Sequence, residues 1–563
     1  MEKQIFALLL VFSVLAPSLL SFSARPVHGF SSSGLDPLEG QIVALVNGTR
    51  AYDYDLQLES IALSHPDFRS AGSPGALEAA NWIKAQLQSF GLDAWLEPFT
   101  FKNWTLLDKP SLIIDEDGNQ STTCDQTTIG SFQCEHWSYP TPPDGVFADV
   151  VVLPLPPAEN ISRIGAELIN TTAWNAVNIT GKVVLIGREV RWNDNWHNAF
   201  VNKLSAQPPA AVVFTWWYDW MNFTPPMHSS AGGLPLSGYG TYFWNYHIPV
   251  GFVNYWDGLS IRAKVESNKT LSANVTIKAV IGYNGVHYNV VGRISGYEQP
   301  EKMVIISSHY DTVMCAGFCD NGAGTAGILE VANVVKEAIK TGLYRPKYTL
   351  LFVAFTGEEL YLVGSANYVK QHKSDMGNII TVINLDCIGS NELYVTNTTG
   401  SDLAQKIIEA AQDLNISISM EEPGGSDQES FRTPSSINNA ILHYWGVDLG
   451  ISDATPISSS AMLDSYPLFY NDLWNMGEAG WIHTAYDNST STETLNWVEL
   501  DDLENHIKVA LIATIRESQN IVPEFTPIIT LAVLMTSTVV VYFLTRKKLY
   551  KAAKVNLNKH TRL

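Results

Sequence analysis

At 563 residues the chain is long enough for two domains and a large hydrophobic core. Its formal net charge is −21, and because residues 546–563 carry seven basic residues and no acid, everything before them stands at −28. A body this acidic excludes nucleic-acid binding through phosphate contacts, and its acid excess reads as a solubility device. In chain order, residues 5–21 are apolar, with Lys3 before them and Ser21-Phe22-Ser23-Ala24 after, the pattern of a secretory signal peptide ending at 24. Twelve Asn-x-Ser/Thr sequons follow, nine of them between Asn47 and Asn274, which implies a glycosylated surface outside a membrane. Residues 135–270 are rich in Trp, Tyr, Pro and Asn, with short strands predicted at Gly181–Gly187, Ala210–Phe214 and Ile248–Phe252. The aromatic run Trp216-Trp217-Tyr218-Asp219-Trp220 is read as packing rather than a binding surface. Apolar runs at Met303–Ser307, Tyr348–Phe355 and Asn378–Leu385 predict buried strands, and Gly322–Lys340 and Leu360–His372 have helical spacing. This β-α-β-α-β alternation implies an α/β fold with a mostly parallel mixed sheet and helices on both faces. Pro527–Leu544 is an apolar run of 18 residues that just reaches spanning length, and the basic tail after it puts the tail in the cytoplasm and the rest outside.

The chemistry gathers at the ends of the predicted strands. His309 follows the first, Glu358 and Glu359 follow the second, and Asp386 closes the third. Asp320 sits in Asp320-Asn321-Gly322-Ala323-Gly324, and His483 lies further on in Ile482-His483-Thr484. Open parallel sheets bind ligands at the carboxyl ends of their strands. Two histidines and three carboxylates can hold a pair of zinc-like cations, and a further carboxylate can move a proton, which is equipment for metal-assisted hydrolysis. Asp320, at a glycine-rich turn, is the candidate to bridge two ions. Glu358 and Glu359 are adjacent and cannot point the same way, so one can bind metal while the other faces the water as general base. Asp311, two residues after His309, and Asp487, four after His483, are candidates to accept the ring N–H of each histidine. Each motif alone is ordinary: Gly-Glu-Glu as a solvated helix start, Asp-Asn-Gly as a turn. Their joint order at strand ends is not.

These residues, with His65-Pro66-Asp67-Phe68-Arg69-Ser70-Ala71-Gly72-Ser73-Pro74-Gly75 near the start, resemble the di-zinc exopeptidase family of bacterial leucyl aminopeptidase, aminopeptidase Y and glutamate carboxypeptidase, to which the non-catalytic transferrin receptor is related. The resemblance spans most of residues 50–520. It implies one zinc on His309 and Asp386, a second on Glu359 and His483, Asp320 bridging the two, Glu358 as base, and a cis bond at Asp320–Asn321. It further implies a protease-associated insert at 135–270 between an N-terminal part of the peptidase domain (25–134) and the catalytic part (271–520). A signal peptide (1–24), a transmembrane helix (525–545) and a cytoplasmic tail (546–563) complete the expected organisation. Two departures stand out: Cys387 replaces the Met that often follows the ligand Asp, and Ser426-Asp427-Gln428-Glu429 has Gln where the family has His, which alters the substrate pocket.

The expected activity is that of a membrane-anchored, outward-facing zinc aminopeptidase acting on peptides, with homo-oligomerisation left open. A carboxypeptidase or dipeptidase needs cations for a terminal carboxylate, and Arg432 is available. An aminopeptidase needs an acid for the amine, and Asp427 or Glu429 is available. A receptor-like module without chemistry is disfavoured because no ligand and no base is missing. The five cysteines are expected as a Cys124–Cys134 loop, a Cys315–Cys319 bridge beside the site, and a buried free thiol at Cys387.

Overall fold

The computed structural model describes residues 34–116, 119–125, 131–154, 171–188, 200, 202–216, 247–396, 401–421, 425–465, 482–484, 487–491 and 498–518. The expected signal peptide, transmembrane segment and basic tail lie outside these residues, as do Trp217, Tyr218, Asp219 and Trp220. Among the described residues no helix is long and apolar enough to cross a membrane.

The strands in chain order are β1 (Asp93–Leu106), β2 (Ser111–Glu116), β3 (Asn119–Asp125), β4 (Phe132–Cys134), β5 (Val146–Leu153), β6 (Val183–Arg188), β7 (Ala211–Trp216), β8 (Val250–Val253), β9 (Leu271–Thr276), β10 (Ala279–Ile294), β11 (Gln299–His309), β12 (Tyr348–Phe355), β13 (Ile379–Leu385), β14 (Leu393–Thr396), β15 (Ile418–Glu421) and β16 (Ser460–Ser465). They form two eight-stranded sheets, of order β1-β10-β12-β11-β13-β16-β14-β15 and β3-β2-β9-β5-β6-β7-β8-β4. The helices that matter for the site are α1 (Gly48–Leu63), α2 (Pro74–Ser89), α3 (Gly324–Lys340), α4 (Val363–Gln371) and α5 (Leu500–Ser518).

In the first sheet the central strands β12, β11, β13 and β16 run parallel, while β1–β10, β10–β12 and β14–β16 are antiparallel pairs. The central strands read as continuous apolar runs because both of their faces are covered. Along β11, Val304 and Ile306 face a core built with α1, α2, α3 and α5, while Ile305 faces the opposite core. That second core contains Val363, Ala366 and Val369 of α4 and extends into the second sheet through Leu112, Val213, Ala273 and Val275. Helices therefore lie on both faces, as expected. The second sheet begins earlier than the expected boundary at 135. Strands β2, β3 and β4 belong to it, with β2 pairing antiparallel to β9 from Ser111 opposite Thr276 to Glu116 opposite Leu271. A short alternating strand at a sheet edge carries no mark of which sheet it joins, so sequence placed it with the first.

Sequons differ in accessibility. Asn47, Asn178, Asn268 and Asn415 are exposed, whereas Asn488 is 2% exposed and closed to a glycan in the folded chain.

The junction of β12 and α4 is set by backbone proximity. A Cβ on Gly364 would lie 1.8 Å from the Thr356 carbonyl oxygen and 2.9 Å from Asn289 Oδ1. Asn289 on β10 closes the junction, its Nδ2 donating to Gly364 O at 2.9 Å and its Oδ1 accepting from Thr356 N–H at 3.3 Å. Gly364→Ala should therefore destabilise the fold by about 2–3 kcal/mol, the upper part of the range for overpacking a tight site. Urea unfolding measures it, and an unchanged midpoint would contradict the packing described.

Candidate metal centre

All the strand-end residues converge. His309 is the last residue of β11, and Asp386 follows β13 directly. Between β11 and α3 the chain makes an irregular turn, Phe318–Ala323, which holds Asp320 just before the α3 N-terminus, and the Asp320–Asn321 bond is cis. Glu358 and Glu359 occupy a single 3-10 turn between Gly357 (φ +75°) and Tyr361 (φ +67°), with Leu362 (φ +61°) next. Left-handed backbone at non-glycine residues is uncommon and concentrates where a site imposes it. Here it turns two neighbouring carboxylates to different surroundings: Glu359 is buried, and Glu358 is partly exposed.

Two clusters share one residue. His309, Asp320 and Asp386 form the first, and Asp320, Glu359 and His483 the second. His309 Nε2 lies 3.1 Å from Asp320 Oδ1 and 3.3 Å from Asp386 Oδ1. His483 Nε2 lies 3.0 Å from Asp320 Oδ2 and 3.1 Å from Glu359 Oε1. Ligands of a tetrahedral ion bound at ~2.0–2.1 Å sit roughly 3.3 Å from one another, so each cluster has ligand spacing. Asp320 gives one oxygen to each cluster, as a bridge must. Nitrogen and carboxylate donors of this kind suit zinc. An oxygen of Glu358 also falls within the spacing of His309 and Glu359.

The surrounding contacts fix these groups. Asn321 Nδ2 donates to Leu385 O at 2.8 Å, and its Oδ1 accepts from Gly324 N–H at 2.9 Å and from Cys387 N–H at 3.2 Å, tying the Asp320 turn to the Asp386 segment. Thr325 Oγ1 donates to His309 O at 2.8 Å. Ser307 donates to Asn384 Oδ1 at 2.7 Å, and Asn384 Nδ2 donates to Ser426 Oγ at 2.9 Å, which anchors the Ser426–Glu429 loop beside the site. Sequence reading missed Asn321, Thr325 and Asn384; only the adjacency of Asn321 to Asp320 and of Asn384 to Asp386 pointed at two of them.

Asp311 meets the His309 ring as expected; other expectations are corrected. The His309 ring Nδ1 meets the backbone carbonyl of Asp311 at 3.1 Å and its carboxylate at 3.6 Å, and that carboxylate also accepts from Glu358 N–H at 3.3 Å. The turn after His309 brings the carbonyl nearer than the side chain. Asp487 does not orient His483: its carboxylate accepts from the backbone N–H groups of Cys319 at 2.7 Å and Asp320 at 3.2 Å. Cys315 and Cys319 are both free thiols, and the Cys319 thiol shares a hydrogen bond with the free thiol of Cys387. Cys134 is likewise a free, buried thiol, and the Cys124 side chain lies outside the described residues. Cys387 is only partly buried, and its Sγ donates to Asp386 Oδ1 at 3.4 Å.

At the pocket loop, Arg432 forks onto Glu429, Nε to Oε1 at 2.7 Å and Nη2 to Oε2 at 2.5 Å. Asp427 is fully buried with neither oxygen hydrogen-bonded, while the neighbouring Ser365 hydroxyl is engaged with Leu362 O and Ser430. Burial pushes Asp427 up to about 7, with His309 opposing.

The electrostatics follow from burying so many acids together. Burial raises Glu358 well above the usual carboxylate range and pushes Glu359 up to about 7, despite the opposing histidines. For His309 and His483 burial alone would lower the pKa, yet the facing carboxylates, Asp386 and Glu359 foremost, hold both well above the ordinary imidazole range. Asp320, though buried, is kept below the usual range by the two histidines.

The fold and site define an α/β protein with two histidine–carboxylate clusters of ligand spacing, sharing Asp320, at the carboxyl ends of parallel strands. Residues 289–505 match the model of Peptidase family M28. Every residue of the two clusters lies inside the matched stretch. The structure of a zinc aminopeptidase from Bacillus subtilis superposes over 85% of this chain and 97% of that one, with a TM-score of 0.54 at 20% identity, which establishes a shared fold. In sequence, the glutamate carboxypeptidase 2 homolog of Caenorhabditis briggsae is 33% identical over 125 residues, covering 22% of this chain and 16% of that protein. Leucine aminopeptidase 2 of Arthroderma otae is 25% identical over 347 residues, covering 60% and 59%. The chain thus spans less than two thirds of these relatives' own lengths.

In the metal-free protein both histidines hold protons more tightly than free imidazole, so an ion must displace those protons to bind. Metal affinity should therefore rise with pH through neutrality and fall on acidification, with proton release on binding. Calorimetric zinc titration in buffers of different ionisation enthalpy measures it, and an affinity that is flat between about pH 6 and 8 would refute the charge balance described.

Proposed function

We propose that the chain is a membrane-anchored, outward-facing zinc exopeptidase that removes N-terminal residues from peptides. The observation that carries the reading is Asp320, with one oxygen in each of two ligand clusters and Glu358 partly exposed beside them. His309 and Asp386 would hold one zinc, Glu359 and His483 the other, and Asp320 both. Bound zinc supplies Lewis acidity toward the scissile carbonyl and the attacking water. Glu358 takes the water's proton and passes it to the leaving amine, a role suited to a carboxylate whose burial raises its basicity. Asp311 supports the base by accepting its backbone N–H.

The amino end is favoured over the carboxyl end by charge. Arg432 is neutralised by Glu429 and is a poor anchor for a substrate carboxylate, whereas acid side chains abound near the site. The second sheet, with β4 and the segment after it, is read as a protease-associated insert walling the cleft. The signal-peptide and transmembrane patterns of the sequence support the outward orientation, and the exposed sequons at Asn178 and Asn268 support glycosylation of that wall.

Profiling the full chain on N-blocked and C-blocked peptides tests the substrate end. Cleavage confined to C-blocked peptides with a free amine is expected, and cleavage confined to N-blocked peptides would make it a carboxypeptidase. Two neighbouring substitutions test the chemistry. Glu358→Gln should keep both zincs and lower kcat by at least the ~10²–10⁴-fold typical of losing a general base. Glu359→Gln should weaken one zinc, because a neutral amide is a far poorer partner for a divalent cation than a carboxylate. Zinc content and turnover of both variants decide it: metal loss in Glu358→Gln with retention in Glu359→Gln would reverse the two roles.

A further inference from the structure

Arg69 lies in the connection between α1 and α2, yet it is fully buried, and its side chain is spent on a loop 241 to 248 positions away. Nε donates to Tyr310 O at 2.8 Å, Nη1 to Ala316 O at 2.8 Å, and Nη2 to Gly317 O at 2.9 Å. Its backbone N–H donates to Thr312 Oγ1 at 3.3 Å. All four acceptors belong to one stretch, Tyr310–Gly317, which joins His309 at the end of β11 to the turn that holds Asp320. None of them is charged. The compensating charges, Asp55 of α1 and Asp487, act on the guanidinium through space. Asp55 has no hydrogen-bond partner for either oxygen and packs against the same turn, where a Cβ on Gly322 would come within 2.1 Å of its Oδ1.

A buried guanidinium hydrogen-bonded only to carbonyls is an unusual use of a costly group. Its rigid planar fork is what distinguishes Arg from Lys, and here the fork spans both ends of a single loop. The next residues are held from the other side, Cys319 and Asp320 by the Asp487 carboxylate. Space around the loop is tight as well: Gly317 has φ +64°, and a Cβ there would meet Thr312 Cγ2 at 2.2 Å and Arg69 Nη2 at 3.1 Å.

We propose that Arg69 is a positioning residue of the metal centre: its guanidinium closes the Tyr310–Gly317 loop and so holds His309 and Asp320 at ligand spacing before any ion binds. The inference rests on the metal reading above. Arg69 touches neither ligand side chain nor substrate and acts through the backbone of the loop.

The test uses the full chain as wild type, Arg69→Lys and Arg69→Gln. Lys keeps the buried charge facing Asp55 and Asp487 but cannot reach three carbonyls. Zinc affinity, measured by competition with a chromogenic chelator, should fall ~10–100-fold in both variants, as when partners that orient metal ligands are removed. In the metal-free proteins, amide hydrogen exchange should rise in peptides covering 310–320 and stay unchanged in peptides covering 348–355. Zinc affinity within about twofold of wild type in a folded variant would overturn the proposal. So would exchange that rises equally everywhere, which marks a general loss of stability. Should neither variant fold, the metal-free wild type still decides, since a 310–317 loop unprotected without zinc cannot be held by Arg69. A wild type that takes up no zinc would instead sink the metal reading and leave the loop measurement standing.

Discussion

Everything near the site answers to one constraint, the burial of several carboxylates within reach of one another. Asp320, Glu359, Asp311, Asp427 and Asp487 are all buried, and Glu358 and Asp386 stand beside them partly buried. Removing one such charge from water without compensation costs several kcal/mol, and crowding like charges adds to it. The structure meets that cost locally with two imidazoles whose pKa the facing carboxylates raise, with backbone N–H groups directed at Asp487 and Asp311, and with the N-terminal end of α3 just after Asp320. None of these fully replaces a divalent cation between His309, Asp386, Glu359 and His483. The charge arrangement is itself an argument that cations belong there, independent of any relative.

The parts of this that sequence made legible are those governed by short-range pattern. The buried strands announced themselves as apolar runs, Tyr348–Phe355 to the residue, because a strand covered on both faces has no polar side to show. The convergence of the candidate residues was legible because parallel strand ends are where such sheets gather function, and His309, Glu359 and Asp386 each sit at one. The failures share a cause too. Reading Asp487 as the partner of His483 assumed that four residues of separation keep side chains together. The chain instead turns sharply, with Met314 and Gly317 in left-handed backbone and His483 itself at φ +60°, so sequence neighbours diverge. The expected Cys315–Cys319 bridge failed for the same reason, since the irregular turn carries Cys319 toward Cys387.

Arg69 and β2 illustrate the other limit. Their partners lie far along the chain, Tyr310 for one and β9 for the other, and no local pattern encodes a pairing at that separation. A fully buried arginine in particular looks in sequence like any surface cation, because charged residues are mostly exposed. Only the fold supplies the loop whose carbonyls it holds.

Glu358 and Glu359 bring the two scales together. Identical residues, adjacent in sequence, end in unlike environments because Gly357, Tyr361 and Leu362 all adopt left-handed backbone around them. Such conformations cost of order 1–3 kcal/mol at a non-glycine residue and persist only where the surroundings over-determine them. Here the surroundings are the Gly364–Thr356 contact, the Asn289 bridge and the Asp311 carboxylate on the Glu358 N–H. Packing away from the two clusters thus decides which glutamate is buried and which is partly exposed. The difference in environment between two adjacent glutamates is consequently a property of the β12–α4 junction, set without any contact to either carboxylate.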